Sequence, residues 1–194
     1  MATRFNPSGS VSFDLVRGRV DCGGEHVLVA ADALVDLCRA AGDEAVSDFG
    51  RRLGTAVGRR IAERLGDGTA SATMEEVLDH LGGELALAGL GSLGLERWGR
   101  ALVLTVDGSP FGQQLDRLLA AVLEGALQRA FGRDCRAAKL MRDDRQVRFL
   151  ITNASSAEKV AEWVGSGQSY GDVLARFHRR QVAQRALRAR RLHR

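Results

Sequence analysis

Apolar positions recur along this chain with two periods. Between Asp43 and Leu65, the residues Val46, Phe49, Leu53, Val57 and Ile61 fall on one stripe of a predicted helix. Leu115, Leu118, Leu119, Val122, Leu123, Ala126, Leu127 and Ala130 keep the i, i+3, i+4, i+7 spacing of a second. Shorter helices are predicted over "ADALVDLCRAAG", which Gly42 stops, and "MEEVLDHLGGELALAG". Alternating runs predict a hairpin over "VSFDLVRGRVDCGGEHVLVA" turning at Gly23-Gly24, a strand over "RALVLTV", and a strand pair over "RAAKLMRDDRQVRFLIT" turning at Asp143-Asp144. "GLGSLGLERWG" reads as a turn between helix and strand. Ser155 to Glu158 has capping-box spacing and places a helix start there. After "GSGQS" a last helix begins near Tyr170, with Val173, Leu174 and Phe177 on an apolar face that then dissolves into arginines. The predicted organisation is a flexible lead (1–10), a single domain (11–172) and a basic helix or tail (173–194).

Both long helices carry glycine in their interiors, where it costs about 1 kcal/mol against alanine. Gly50, Gly54 and Gly58 form a ridge beside the first apolar stripe, and Ala121 and Gly125 share a flank of the second. Such faces allow close approach. Three occupants are open: another helix or the sheet of the same subunit, a second copy of the chain, or a flat apolar ligand. Membrane pairing, which the G-x-x-x-G spacing would suggest in lipid, is excluded by Arg51, Arg52, Arg59 and Arg60 on the same helix. A ligand pocket read from the helix faces would be lined by Phe49, Leu53, Val57, Leu119, Val122, Leu123 and Leu127.

Composition narrows the class. With 194 residues, 45% apolar and 27% charged, the chain can bury a real core. No run reaches the roughly 18 apolar residues of a membrane span. The three cysteines, at 22, 38 and 135, form no C-x-x-C pair, so the expectation is a cytoplasmic protein without disulfides or a cysteine-built metal site. The net charge of +4 is uneven. From Val173 onward there are eight arginines and no acid, whereas residues 1–172 hold 20 Lys+Arg against 24 Asp+Glu. Arg179, Arg180, Arg185, Arg188, Arg190 and Arg191 are a candidate surface for an acidic partner. A solvated helix end, an anionic membrane or sequence-independent phosphate contact are the other readings. No specific nucleic-acid binding is predicted, since no aromatics interleave with these arginines.

No catalytic set emerges. Gly89, Gly91 and Gly94 match G-x-G-x-x-G, but a helix precedes and a strand follows, the reverse of what a dinucleotide pyrophosphate needs. His26, His80, His178 and His193 are scattered, and Asp79-His80 reads as a local ion pair. Cys38 reads as core, and Cys135 as a structural thiol that neighbouring Arg133 and Arg136 could activate. No metal, cofactor or catalytic residue is assigned.

The order of these elements resembles a family. "EHVLVAADALVDLC", the glycine-bearing helix "FGRRLGTAVGRRIAERL", the helix end "LAGLGSLGL", a strand closing on "GSPF" and the helix "LLAAVLEGALQRAF" are together similar to the 4-vinyl-reductase-type domain and to the Bet-three-like subunits of the TRAPP tethering complex. "VLEGAL" stands where that family keeps Gly-Ala-Leu. The resemblance covers roughly residues 11–153. It implies an α+β fold with a roughly four-stranded antiparallel sheet packed by helices, a homodimer, and a pocket for hydrocarbon- or acyl-like ligands. Two features depart from it. The paired cysteines many bacterial members carry near the terminal strands are missing from "LMRDDRQVRF", and the loop "GDGTASAT" has no cysteine to acylate. The expected function is therefore a non-enzymatic dimeric module binding a small apolar molecule, sensory or regulatory. A scaffold docking an acidic partner is the alternative, and an enzyme of tetrapyrrole or aromatic metabolism is a third reading.

Overall fold

The computed structural model describes residues 4–22, 25–66, 72–99 and 101–192. The expected turn at Gly23-Gly24 and most of the loop "GDGTASAT" lie outside the described residues. So do the side chains of Arg185, Arg188, Arg190 and Arg191, although their backbone is helical.

Near the N-terminus, β1 (Ser12–Asp14), β2 (Arg19–Asp21) and β3 (Glu25–His26) form a small antiparallel sheet in that order. The expected two-strand hairpin is thus divided by a further turn. The Asp14 carboxylate accepts from the backbone N–H of Val16 and Arg17 at 3.1 and 3.0 Å, which ends the first strand early. Helices α1 (Ala31–Ala41) and α2 (Asp43–Leu65) meet at Gly42, whose φ of 81° makes the corner that a side chain would strain. A reciprocal Thr73–Glu76 capping box opens α3 (Met74–Leu87).

The main sheet contains β4 (Ser92–Trp98), β5 (Ala101–Asp107), β6 (Arg136–Arg142) and β7 (Gln146–Thr152), antiparallel throughout in the order β4-β5-β7-β6. Helix α4 (Asp116–Phe131) connects β5 to β6, and α5 (Ala154–Gly165) and α6 (Tyr170–Leu192) follow β7. The fold is α+β, a four-stranded antiparallel sheet packed, among the described residues, by six α-helices, in agreement with the sequence. On one face Leu104, Val106, Ala137, Val147 and Phe149 join the core formed by α2, α3 and α4. On the other, Ala101, Val103, Ala138, Leu140 and Leu150 pack under Val160 and Trp163 of α5 and Val173, Leu174 and Phe177 of α6.

Two local expectations are corrected. "GLGSLGLERWG" is largely strand β4, because it pairs with β5 along its whole length, Leu93 packs against the core and Gly94 leaves room for the Thr105 hydroxyl opposite. The cap of α5 is Asn153, whose side chain accepts from the Ser156 N–H at 3.0 Å, so the helix begins before the Ser155–Glu158 box. Asp79 accepts from the Phe5 N–H at 2.9 Å, and His80 is buried edge-on to the Phe5 ring. Asp143 does make its turn without glycine, accepting from the N–H of Arg145 and Gln146 at 3.1 and 2.8 Å.

Candidate ligand-binding site

The glycines of α2 and α4 face one another in the same chain. A Cβ at Gly54 would press into the carbonyl of Val122 and stand 2.9 Å from the Ala126 nitrogen. One at Gly58 would stand 2.6 Å from the Ala126 oxygen, and one at Gly50 2.7 Å from the Ala121 Cβ. In return, Gly125 lies against the Arg51 carbonyl and the Thr55 nitrogen. The helices therefore meet backbone to backbone, and no slot for a ligand separates them. The close-packing residues read from the sequence are brought together as one seam. The pocket residues are dispersed by the same seam, because close approach turns the large side chains toward the sheet. Val57, Leu119, Val122 and Leu123 are in the core, Leu53 is half-buried against it, and Phe49 is 45% exposed. Of the seven, Leu127 alone borders one of the cavities described here.

That cavity, about 800 Å³, lies at the C-terminal end of α4. Its size falls within the roughly 300–1,000 Å³ of small-molecule sites. Leu102 of β5 and Ile151 of β7, paired in register, form part of its apolar wall together with Leu127, Ala130 and Phe131 of α4. Ala72 and Met74, at the head of α3, line another part. Gly132 ends α4 in the left-handed conformation, φ 62°, its N–H donating to the Gln128 oxygen at 2.9 Å. That stop brings Arg133, Asp134 and Cys135 to the cavity's edge beside Arg129. A larger opening of about 910 Å³ lies between α1 and residues 110–114, but its lining is more polar, and Arg39 already bonds Asp36 at 2.8 Å and Gln114 at 2.5 Å. Its apolar wall is the smaller of the two, and we take the cavity beside α4 as the site.

The arrangement is suited to holding a molecule. Cys135 is half-buried, its Sγ 3.8 Å from the Glu124 carbonyl oxygen. Burial, then the carboxylates of Glu124 and Asp134, push its thiol up to about 11 against the opposing pull of Arg136. The flanking arginines do not activate it. At pH 7.5 Cys135 is expected to react with iodoacetamide on the order of 100-fold more slowly than a free cysteine, its rate rising about tenfold per pH unit toward pH 11. Peptide-resolved mass spectrometry of labelled protein checks this, and a free-cysteine rate at neutral pH would contradict it. Asp134 is 3.9 Å from Arg136, which also approaches Glu124 at 3.4 Å. No group of three or more metal-ligating side chains occurs among the described residues. The sequence-derived set lacked Arg129, Arg133, Leu102, Met74 and Ile151, which come from four separate stretches of chain.

No family model matches the sequence. No curated protein matches it. Among solved structures, the fold is similar to the phenol-responsive sensory domain of the transcription activator PoxR, determined with phenol. The TM-score is 0.61 at 14% identity, over 80% of this chain and 94% of that one. The likeness is one of fold. It gives a solved counterpart to the α+β arrangement expected from the sequence.

Proposed function

We propose that this chain is a non-enzymatic sensory or regulatory module of the 4-vinyl-reductase type, and that it binds a small apolar molecule in the cavity at the end of α4. The observation that carries the reading is the cavity itself: about 800 Å³ with apolar side chains from α4, β5 and β7. The similarity in fold to a phenol-responsive sensory domain supports it. The protonated thiol of Cys135 is a poor nucleophile, in keeping with binding and not catalysis. Native mass spectrometry of the purified protein, with a panel of phenols, fatty acids and alcohols, tests it. Met74→Trp at the cavity's edge should weaken uptake by about tenfold, 1.4 kcal/mol, with an unchanged melting temperature. Absence of any co-purified or added ligand would overturn the reading.

The module acts as a homodimer. Phe13, Leu15, Val16, Val27, Leu28 and Val29, on the small sheet and the segment after it, are 59–98% exposed. At roughly 100 Å² each these six side chains offer about 600 Å², near the roughly 800 Å² per partner of a standard interface. The expected species is two copies of the chain, and Val16→Asp with Leu28→Asp should give one. A monomeric wild type, by sedimentation, would refute it.

The adaptor reading rests on α6, which continues to Leu192 past its buried residues Val173, Leu174 and Phe177, with Arg179 exposed. Deleting residues 179–194 separates the two readings: loss of binding to an acidic partner, with ligand uptake intact or with none to lose, favours the adaptor.

A further inference from the structure

The cavity at the end of α4 is chemically lopsided. Leu102, Leu127, Phe131 and Ile151 make its wall apolar, whereas Arg129 and Arg133 stand exposed at its edge. Among the described residues Asp134 is the one carboxylate lining it, and its charge lies toward Arg136, 3.9 Å away. Among the described residues neither Arg129 nor Arg133 has an ion pair or a side-chain hydrogen bond. An arginine in the last turn of a helix answers the helix dipole, which suffices to explain Arg129. It does not explain Arg133, beyond the Gly132 stop. Two guanidinium charges also exceed the roughly half negative charge of a helix C-terminus. An apolar wall beside two uncommitted, fork-shaped donors is complementary to one kind of molecule.

We infer that the ligand is an amphipathic carboxylate, its hydrocarbon body against Leu102, Leu127, Phe131 and Ile151 and its carboxylate held at the edge by Arg129 and Arg133. This rests on the proposed ligand-binding function and names the chemical class. The apolar wall supplies affinity without direction, and the arginines select the charged end.

Titration calorimetry on the full chain with decanoate and 1-decanol, equal in length and different in charge, tests it. Both arginines are exposed, so the contribution of each is modest, and the pair together should favour decanoate by about tenfold. In Arg129→Gln with Arg133→Gln, the two probes should bind alike, with decanol as tight as in the wild type. High salt should erode the preference for decanoate and leave decanol unaffected. Equal affinities in the wild type, or a preference that survives the double substitution, would overturn the carboxylate assignment and leave the ligand-binding function standing. Failure of both probes to bind, at a chain length the cavity accommodates, would count against both.

Discussion

Gly54→Ala is expected to destabilise the protein by about 2–3 kcal/mol, although the same change in an open helix would stabilise it by about 1. The added methyl has no flexible neighbour to displace. It meets the Val122 carbonyl and the Ala126 nitrogen, both backbone atoms in the middle of α4. Relief requires α2 and α4 to separate along their length, which loosens the packing of Val57, Ile61, Val122 and Leu123 beneath them. Gly171→Ala, in a helical turn with nothing within 4 Å of the added atom, is the control and should be neutral or slightly stabilising. Urea unfolding of the two variants makes the comparison. A Gly54→Ala protein as stable as the control would mean that the seam is far more compliant than its geometry implies.

Glu84→Ala should cost about 3 kcal/mol. The Glu84 side chain is 2% exposed and lies between two guanidiniums, Arg60 at 2.6 Å and Arg64 closer still, themselves 12% and 28% exposed. Removing the carboxylate leaves Arg60 largely buried without its counter-charge, the circumstance in which loss of one partner is most destabilising. Arg64 is freer to turn toward water and should contribute less. Replacing Arg60, Arg64 and Glu84 together by methionine should recover most of the loss, since a buried ion cluster seldom outperforms apolar packing of similar volume. Denaturant unfolding distinguishes the outcomes: a triple variant no better than Glu84→Ala would show that the cluster stabilises by more than mutual compensation.

What the sequence disclosed was periodic. The stripes of α2 and α4, the Gly42 stop and the Asp143 turn were visible because each depends on residues a few positions apart. Strand β4 was obscured because Gly89, Gly91 and Gly94 suggest a loop, and only pairing with β5 makes that stretch extended. The glycine faces were legible as close-approach surfaces, but their meeting with each other depends on how α2 crosses α4. The cavity was least legible. Its lining comes from Ala72 and Met74, Leu102, Leu127 with Arg129 to Cys135, and Ile151 with Thr152, and nothing in a pattern of apolar residues tells which of them border empty space.

The seam between α2 and α4 also governs how a force travels. Two helices whose backbones interlock cannot slide past one another without collision, so the pair behaves as a beam. The cavity sits at one end of it, and Leu102 and Ile151 belong to the sheet and not to the beam. Whatever fills the cavity therefore touches the strands as well as the beam. Val103 and Leu150, their immediate neighbours in sequence, point through the sheet to the layer where α5 and α6 rest. The sheet is the layer that the cavity on one face and the arginine-rich helix on the other hold in common.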